Sequence, residues 1–321
     1  MSRTRVALWL LVLAPIWPLL LALAVNHGAI PSSLFGRVGV LYTQTHPITS
    51  AWIFALGYAA LLYLVSVPWK SASIFDVHWS VLPASLYLVH FALHPSSSPD
   101  RTRAVLLTIA VWAWSLRLTG NWLKKGGLGF EDFRYLRFRE TMSPAVFQLF
   151  SFVSLFEVQS AMVLAMTMPA WYALRAPGRP LGALDVIAFV IMLGAVTLEW
   201  IADLQGMAFR AAREAHRKLH PEDLESEPPR YPRFPQTGLW RYSRHPNYFG
   251  EICVWWGVYL FGVAQSGAWL NWTIVGPLTI HGLFLGGSVR ITEDHELRRK
   301  PEYAEYRRTT SRLIPWFPKA R

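Results

Sequence analysis

The sequence predicts an all-α fold, a polytopic integral membrane bundle of about seven to eight transmembrane helices. Three observations predict it. Of 321 residues, 53% are hydrophobic and only 16% charged. Apolar stretches fall at roughly 6–25, 48–67, 72–94, 104–122, 146–171, 183–204, 247–264 and 269–289, each near the 20 or so residues that a span requires. The basic residues, finally, fall on one side of the layout these stretches imply. With the N-terminus in the cytoplasm, that side receives Arg3 and Arg5, Lys70, five basic residues in the 123–145 loop, eight in the 205–246 loop and nine from Arg290 onward, which is 25 of the 31. The other side receives Arg37, Arg101, Arg103, Arg175 and Arg179. That asymmetry is what the positive-inside rule gives for an even number of spans with both ends inside. The expected location is an integral membrane protein of a bacterial inner membrane, with both termini cytoplasmic.

The segments are justified in turn. The first is followed by no small-residue cleavage site and by further spans, so it reads as a retained helix. Residues 1–47 then hold this first helix and a loop, ahead of a membrane domain at 48–321. The third segment carries Asp76 and His78 near its start and Pro83 within it. The fourth contributes Trp114 and Arg117, and Glu131, Asp132, Arg134 and Tyr135 follow in the loop beyond. The sixth contains Glu199 and Asp203, and Phe209 to Leu219 continues it as a basic extension. Pro221, Pro228, Pro229, Pro232 and Pro235 make the next stretch an irregular loop. Pro246 starts the seventh helix. Glu157 and His281, alone in their segments, read as polar residues hydrogen-bonded between helices.

The net charge of +11 follows topology and does not indicate nucleic acid. Cys253 is the single cysteine, so an intramolecular disulfide and a cysteine metal cluster are excluded. The pairs His90 with His94 and His216 with His220 have i to i+4 spacing but no acidic ligand at a convincing position, so no metal is expected. No G-x-G-x-x-G follows a strand, and neither a Walker loop nor a G-x-S-x-G elbow is present. A nucleotide, if bound, is held between membrane helices.

The most informative segment is Gly238 to Glu251, which sets Arg241, Arg244 and His245 at the mouth of an apolar helix. Free N–H groups and the positive dipole end at such a mouth suit an anion. Asn247 and Glu251 lie four apart on one helical face, and Gly250 permits a close approach to the backbone. The competing reading is a basic anchor for lipid headgroups. Ionisable residues inside spans are costly and are functional candidates by default, which singles out Glu199, Asp203 and Arg210. Neutralisation of that acidic pair by Arg210 or Arg213 is the plainer alternative. Arg290 with Glu293, Asp294, His295 and Glu296 reads equally well as a solvated helix end. Asp76 is either a helix cap or a carboxyl whose desolvation keeps it protonated, ready to donate to a substrate carbonyl.

From about Asp76 onward, the chain resembles the uncharacterised bacterial branch of the steroid 5-alpha-reductase family. The likeness rests on Trp114-Ser115-Leu116-Arg117-Leu118, Glu131-Asp132-Phe133-Arg134-Tyr135, the R-H-P-N-Y-F-G-E block from Arg244 to Glu251, and Ile314-Pro315-Trp316. The resemblance implies a seven-helix bundle that holds NADPH in a cytoplasm-facing cavity and reduces an enone double bond of an apolar, lipid-soluble substrate. It implies cofactor contacts from Glu199, Asp203, Arg210, Arg233, Arg244, Asn247, Tyr248, Glu251 and Arg290, with Arg134 and Tyr135 joining them. On the substrate side the steroid enzymes use a Gln-Glu pair and a Tyr. Spacing sets Phe75 and Asp76 at the pair and Trp114 at the Tyr, so a shortened carboxyl survives while the amide and phenol do not. Asp76, His78 and Trp114 are the expected catalytic residues, His78 being the substitute proton donor. Isoprenylcysteine carboxyl methyltransferases, which bind S-adenosylmethionine, are also similar through Arg244 to Gly250, Glu293, Asp294, Tyr303 and Tyr306. A non-enzymatic lipid-binding membrane protein is the third reading. Expected partners are a lipophilic small molecule and membrane lipids.

Overall fold

Helix ends in this protein are set by prolines and caps that can be read locally. The computed structural model describes residues 46–93, 101–126, 131–174, 178–225 and 230–319. The expected first span, the 1–45 portion of the N-terminal segment and His94 lie outside these residues. Among the described residues there is no β-strand, and helices dominate.

Helix α1, Pro47–Trp69, begins with proline at its first turn, and His46 Nδ1 accepts from Ile48 N at 3.3 Å. Lys70 closes it in the left-handed region (φ 53°), its N–H bonding back to Val67 O at 3.1 Å. A 3-10 turn, Ser73–Val77, precedes α2, His78–Leu93. The expected third helix therefore starts six residues late, and Asp76 stands ahead of it. Helix α3 is Arg101–Lys124. Helix α4, Phe133–Thr141, is capped by Asp132, whose carboxylate accepts from Arg134 N at 2.9 Å. Helix α5, Pro144–Thr167, passes through a π stretch at Ser151–Val158. Helix α6, Ala183–Leu219, runs 37 residues and includes the expected basic extension. Helix α7, Pro246–Ser266, starts at the proline that predicted it. Helix α8, Trp272–Arg299, exceeds the expected segment by ten residues at its C-terminal end and contains a second π stretch, Phe284–Ser288. Helix α9 is Tyr303–Thr309.

Among the described residues α1, α5, α6 and α8 are long and apolar enough to cross a membrane. Exposed large side chains such as Leu64, Leu149, Val190 and Trp200 suit a lipid-facing surface.

The chain divides into two units. The first comprises residues 1–189 and 258–276. Its core gathers Leu62, Phe75, Leu82, Phe156 and Leu164. Polar bonds cross it where α2 meets its neighbours. Trp79 Nε1 donates to Gln159 Oε1 at 2.9 Å, the Ser80 and Thr119 hydroxyls are 2.8 Å apart, and His78 Nε2 lies 2.8 Å from Ser160 Oγ. Away from water, such bonds join helices that apolar contact alone would not orient. Arg103, expected on an external surface, is instead buried. It meets Asp185 through Nε at 2.6 Å and NH2 at 2.9 Å, and donates to Arg179 O and Pro180 O.

The second unit comprises residues 190–257 and 277–321. The close approach expected at Gly250 is made by α6. A Cβ there would overlap the Glu199 side chain and meet Ala195 O at 3.0 Å. Trp240 Nε1 donates to Ala202 O at 3.1 Å, and Gln205 Oε1 accepts from Leu239 N at 2.8 Å. The Gln205 amide fills the space over Gly238 (φ +61°) that a side chain would need. The C-terminal segment folds back on the start of the R-H-P block. Arg244 N donates to Ser311 O at 2.9 Å, Ser243 Oγ to Leu313 O at 2.7 Å and Trp316 N to Tyr242 O at 2.9 Å.

Candidate functional site

In the second unit the extension of α6, the loop before α7, the first turn of α7 and the end of α8 with α9 surround a cavity of about 690 Å³. That lies within the range of small-molecule and cofactor sites. Gly206, Phe209, Arg210, Arg213, Glu214 and Arg217 supply one wall. Their spacing is that of a single helical face. Phe234, Trp240, Tyr248, Tyr303 and Tyr306 supply aromatic surface, and Arg233, Arg244, His245, Asn247 and Lys300 supply polar groups.

Six cationic side chains thus face the cavity against two carboxylates, Glu214 and Glu296. Four of the six are engaged within the protein. Arg217 meets Glu214 at 2.9 Å, Arg233 approaches Glu302 at 3.7 Å, Arg244 meets Glu293 at 2.7 Å, and Lys300 pairs with Glu296. Arg210 and Arg213 have no carboxylate partner among the described residues, and Arg213 Nε is buried without a hydrogen-bond partner. Surplus positive charge among aromatic rings suits a ligand that carries both phosphates and a base.

Arg244, besides lining the cavity, is bonded within the protein. Its Nε donates to Glu293 Oε1 at 2.7 Å, and NH1 donates to Arg307 O at 2.8 Å and to Thr310 O. His245 Nε2 lies 3.1 Å from the same Glu293 oxygen, and Arg307 Nε lies 3.2 Å from the other. Glu293 is 2% exposed, so the solvated helix end expected here is instead a buried ionic hub joining the R-H-P block to α8 and α9. Tyr248 is held as the middle ring of a stack, 5.3 Å from His245 and 4.4 Å from Phe284 with interplanar angles of 9° and 2°.

The other expected cofactor residues divide. Arg210, Arg233, Arg244, Asn247 and Tyr248 are brought to this cavity. Glu199, Asp203 and Glu251 are buried in the helices and do not line it; Glu251 accepts from Trp255 Nε1 at 3.0 Å. Arg290 is 78% exposed with Asp294 at 3.9 Å and is not part of the wall. Arg213, Arg217, Lys300 and Trp240 were not expected there. The i, i+3, i+7 spacing of Arg210, Arg213 and Arg217 was the signal that could have found the first two. Tyr303 and Tyr306, which carried the methyltransferase likeness, line the same cavity.

In the first unit Asp76 is half-buried on its 3-10 turn and accepts from the Tyr135 hydroxyl at 2.6 Å. Tyr135, expected at the cofactor, is thus the partner of the expected acid. Loop and turn are cross-linked around this contact, since Glu131 Oε1 accepts from Ala72 N at 3.1 Å and Ser73 Oγ accepts from Asp132 N at 2.7 Å. Arg134 binds Asp132 at 2.7 Å. Burial raises the Asp76 carboxyl to about 6, against a smaller lowering by the Tyr135 bond. The Tyr135 phenol is raised well above its ordinary value, first by burial and then by Asp76. His78 is fully buried between Phe75, at 4.6 Å, and Tyr58, at 5.2 Å, which makes it a core residue. Trp114 is buried in α3 at 1% exposure. Glu157 is half-exposed, where a bond between helices was expected.

A group that the histidine spacing did not reveal lies at the end of α6. His220, Glu222 and Asp223 bring potential ligand atoms together at the surface, and His216 Nε2 is 3.0 Å from Asp223.

Comparison with known proteins follows the same residues. A family described as a protein of unknown function, DUF1295, matches residues 62–310. This chain belongs to the DUF1295 family. The family is related to the steroid 5-alpha-reductases. An uncharacterized protein of the fission yeast Schizosaccharomyces pombe is 33% identical over 288 residues, covering 85% of this chain and 81% of its own length. The chain therefore has a relative outside bacteria. No solved structure matches the chain.

Proposed function

We propose that this DUF1295 protein is a membrane oxidoreductase that transfers a hydride from NADPH to a conjugated C=C bond of a lipophilic, steroid- or isoprenoid-like substrate. The observation that carries the reading is the surplus of arginine at the cavity of the second unit, where Arg210 and Arg213 face it without a carboxylate partner. Arg210, Arg233 and Asn247 would hold the pyrophosphate and sugars, and Trp240 would offer a face to a ring. Bound NADPH would supply the hydride.

Asp76 is the group suited to supply the proton. With a carboxyl near 6 it stays close to the range in which an acid works best at neutral pH. It would donate to the carbonyl oxygen of the acceptor as hydride arrival builds negative charge there. The carboxylate left behind would keep the Tyr135 hydrogen bond, which favours the ionised form. The hydride would bring both electrons and one hydrogen to the β-carbon, the Asp76 proton on the oxygen would give the enol, and its ketonisation, with a proton gained at the α-carbon and one lost from the oxygen, would complete the saturated product; Asp76 would regain its proton from water.

The basic-residue distribution supports eight spans with both termini cytoplasmic. The second reading, an S-adenosylmethionine methyltransferase, draws on Tyr303 and Tyr306 at the same cavity. The charge there opposes it, because the sulfonium of that cofactor is a cation. Thermal unfolding of detergent-purified protein with NADPH or S-adenosylmethionine tests the choice. A ligand at about 100 times its Kd adds about 2.7 kcal/mol, so NADPH should raise the midpoint clearly and S-adenosylmethionine should not. Arg210→Ala should weaken NADPH binding about ten- to a hundredfold. Stabilisation by S-adenosylmethionine alone would replace the reductase with the methyltransferase.

A further inference from the structure

The cation stripe on α6 is longer than one phosphate needs. Arg210 and Arg217 are seven residues apart, about 10 Å along the axis, with Arg213 between them on the same wall. A phosphate or pyrophosphate seated at Arg210 leaves the outer part of the stripe unused. At that outer part Arg213 Nε is buried without a hydrogen-bond partner. A buried guanidinium donor left unmade is costly, and an anionic oxygen that fills it repays the cost. The one acid there, Glu214, is engaged by Arg217 at 2.9 Å. Dinucleotide sites that take NAD keep a carboxylate for the 2′-hydroxyl of the adenosine ribose, whereas those that take NADP put an arginine beside it. This wall has the second arrangement.

We infer that Arg213, flanked by Arg217, holds the 2′-phosphate of the adenosine ribose and is the residue that selects NADPH over NADH. The inference rests on the dinucleotide reading above. A terminal phosphate offers three oxygens to the fork of Arg213, and Arg217 would add a second cation once phosphate competes with Glu214 for it. NADH lacks that phosphate and would leave Arg213 as it stands.

Equilibrium binding of NADPH and NADH to the full-length protein in detergent tests this on wild type and Arg213→Gln. Wild type should prefer NADPH. Arg213→Gln should lose about ten- to a hundredfold in NADPH affinity, the scale of a charge-assisted contact, while NADH affinity stays within about twofold, which also reports that the variant is folded. A variant-free arm compares adenosine 2′,5′-bisphosphate with ADP, which carry the same number of phosphates in different places; the first should stabilise wild type more against heat. Equal losses for both dinucleotides, an unchanged preference, or greater stabilisation by ADP would overturn the role of Arg213 and leave the reductase standing. Failure of wild type to bind either dinucleotide would overturn both.

Discussion

Glu293 and Asp76 are both carboxylates drawn away from water, yet their surroundings differ in kind. Glu293 has Arg244, His245 and Arg307 within 3.2 Å. Among the described residues Asp76 has one hydrogen-bonded neighbour, the phenol of Tyr135. Two guanidinium groups and an imidazole satisfy the carboxylate and fix it, so Glu293 holds pieces of chain together. A phenol stabilises without neutralising, so Asp76 keeps a proton that can move near neutral pH. The difference teaches that the most recognisable arginine of the sequence, Arg244, is engaged in holding the fold, while the groups proposed here for chemistry and for ligand charge have less company.

The largest effect should come from opening the hub. Arg244→Ala leaves Glu293 buried with less compensation and removes two carbonyl contacts, a change of about 3–5 kcal/mol. Thermal unfolding in detergent should show a sharply lowered midpoint or no cooperative transition, with or without dinucleotide. A midpoint equal to that of wild type would mean the hub is not structural.

Asp76→Asn should behave in the opposite sense. Turnover should fall about a hundredfold, the scale of a lost general acid, with NADPH affinity retained. Stability should rise at neutral pH, and the sign follows from the raised pKa. A carboxyl lifted from 3.8 to about 6 favours the folded state while protonated, so its contribution is intact at low pH and is lost as pH rises through about 6. Asparagine escapes that loss. The variant should match wild type near about pH 4 and exceed it near about pH 7.5. Full turnover in Asp76→Asn would break the contrast between the two carboxylates.

Tyr135→Phe should give the smallest change. It removes a hydrogen bond worth about 1 kcal/mol and, because that bond lowers the Asp76 pKa, moves the limb of the pH–rate profile that belongs to Asp76 upward. An unmoved profile would separate Tyr135 from the chemistry.

Much of the fold was legible because its signals are local. Pro246 announced α7, the apolar run with a basic tail announced α6, and Gly250 announced a close contact, although the visitor proved to be Glu199 rather than a ligand. The site was legible only in part. Tyr135 meets Asp76 across 59 positions and Arg244 meets Glu293 across 49, and no periodicity reports such pairings. Glu293 sits among Asp294, His295 and Glu296, where composition alone describes a solvated end. The 3-10 turn ahead of α2 escaped notice for a different reason. Its residues Ser73, Ile74 and Phe75 are as buried as a helix core, and burial rather than backbone geometry is what hydrophobic patterning records.

The bonds from Tyr242, Ser243 and Arg244 to Ser311, Leu313 and Trp316 set a timetable for biogenesis. While the ribosome is still short of these residues, the R-H-P block has been made but has nothing to close against. Its arginines then lack the carbonyl and backbone partners that the last residues bring. The cavity can take its final form only after some seventy further residues have emerged, so an inserted chain that stalls before them would have helices without a binding site.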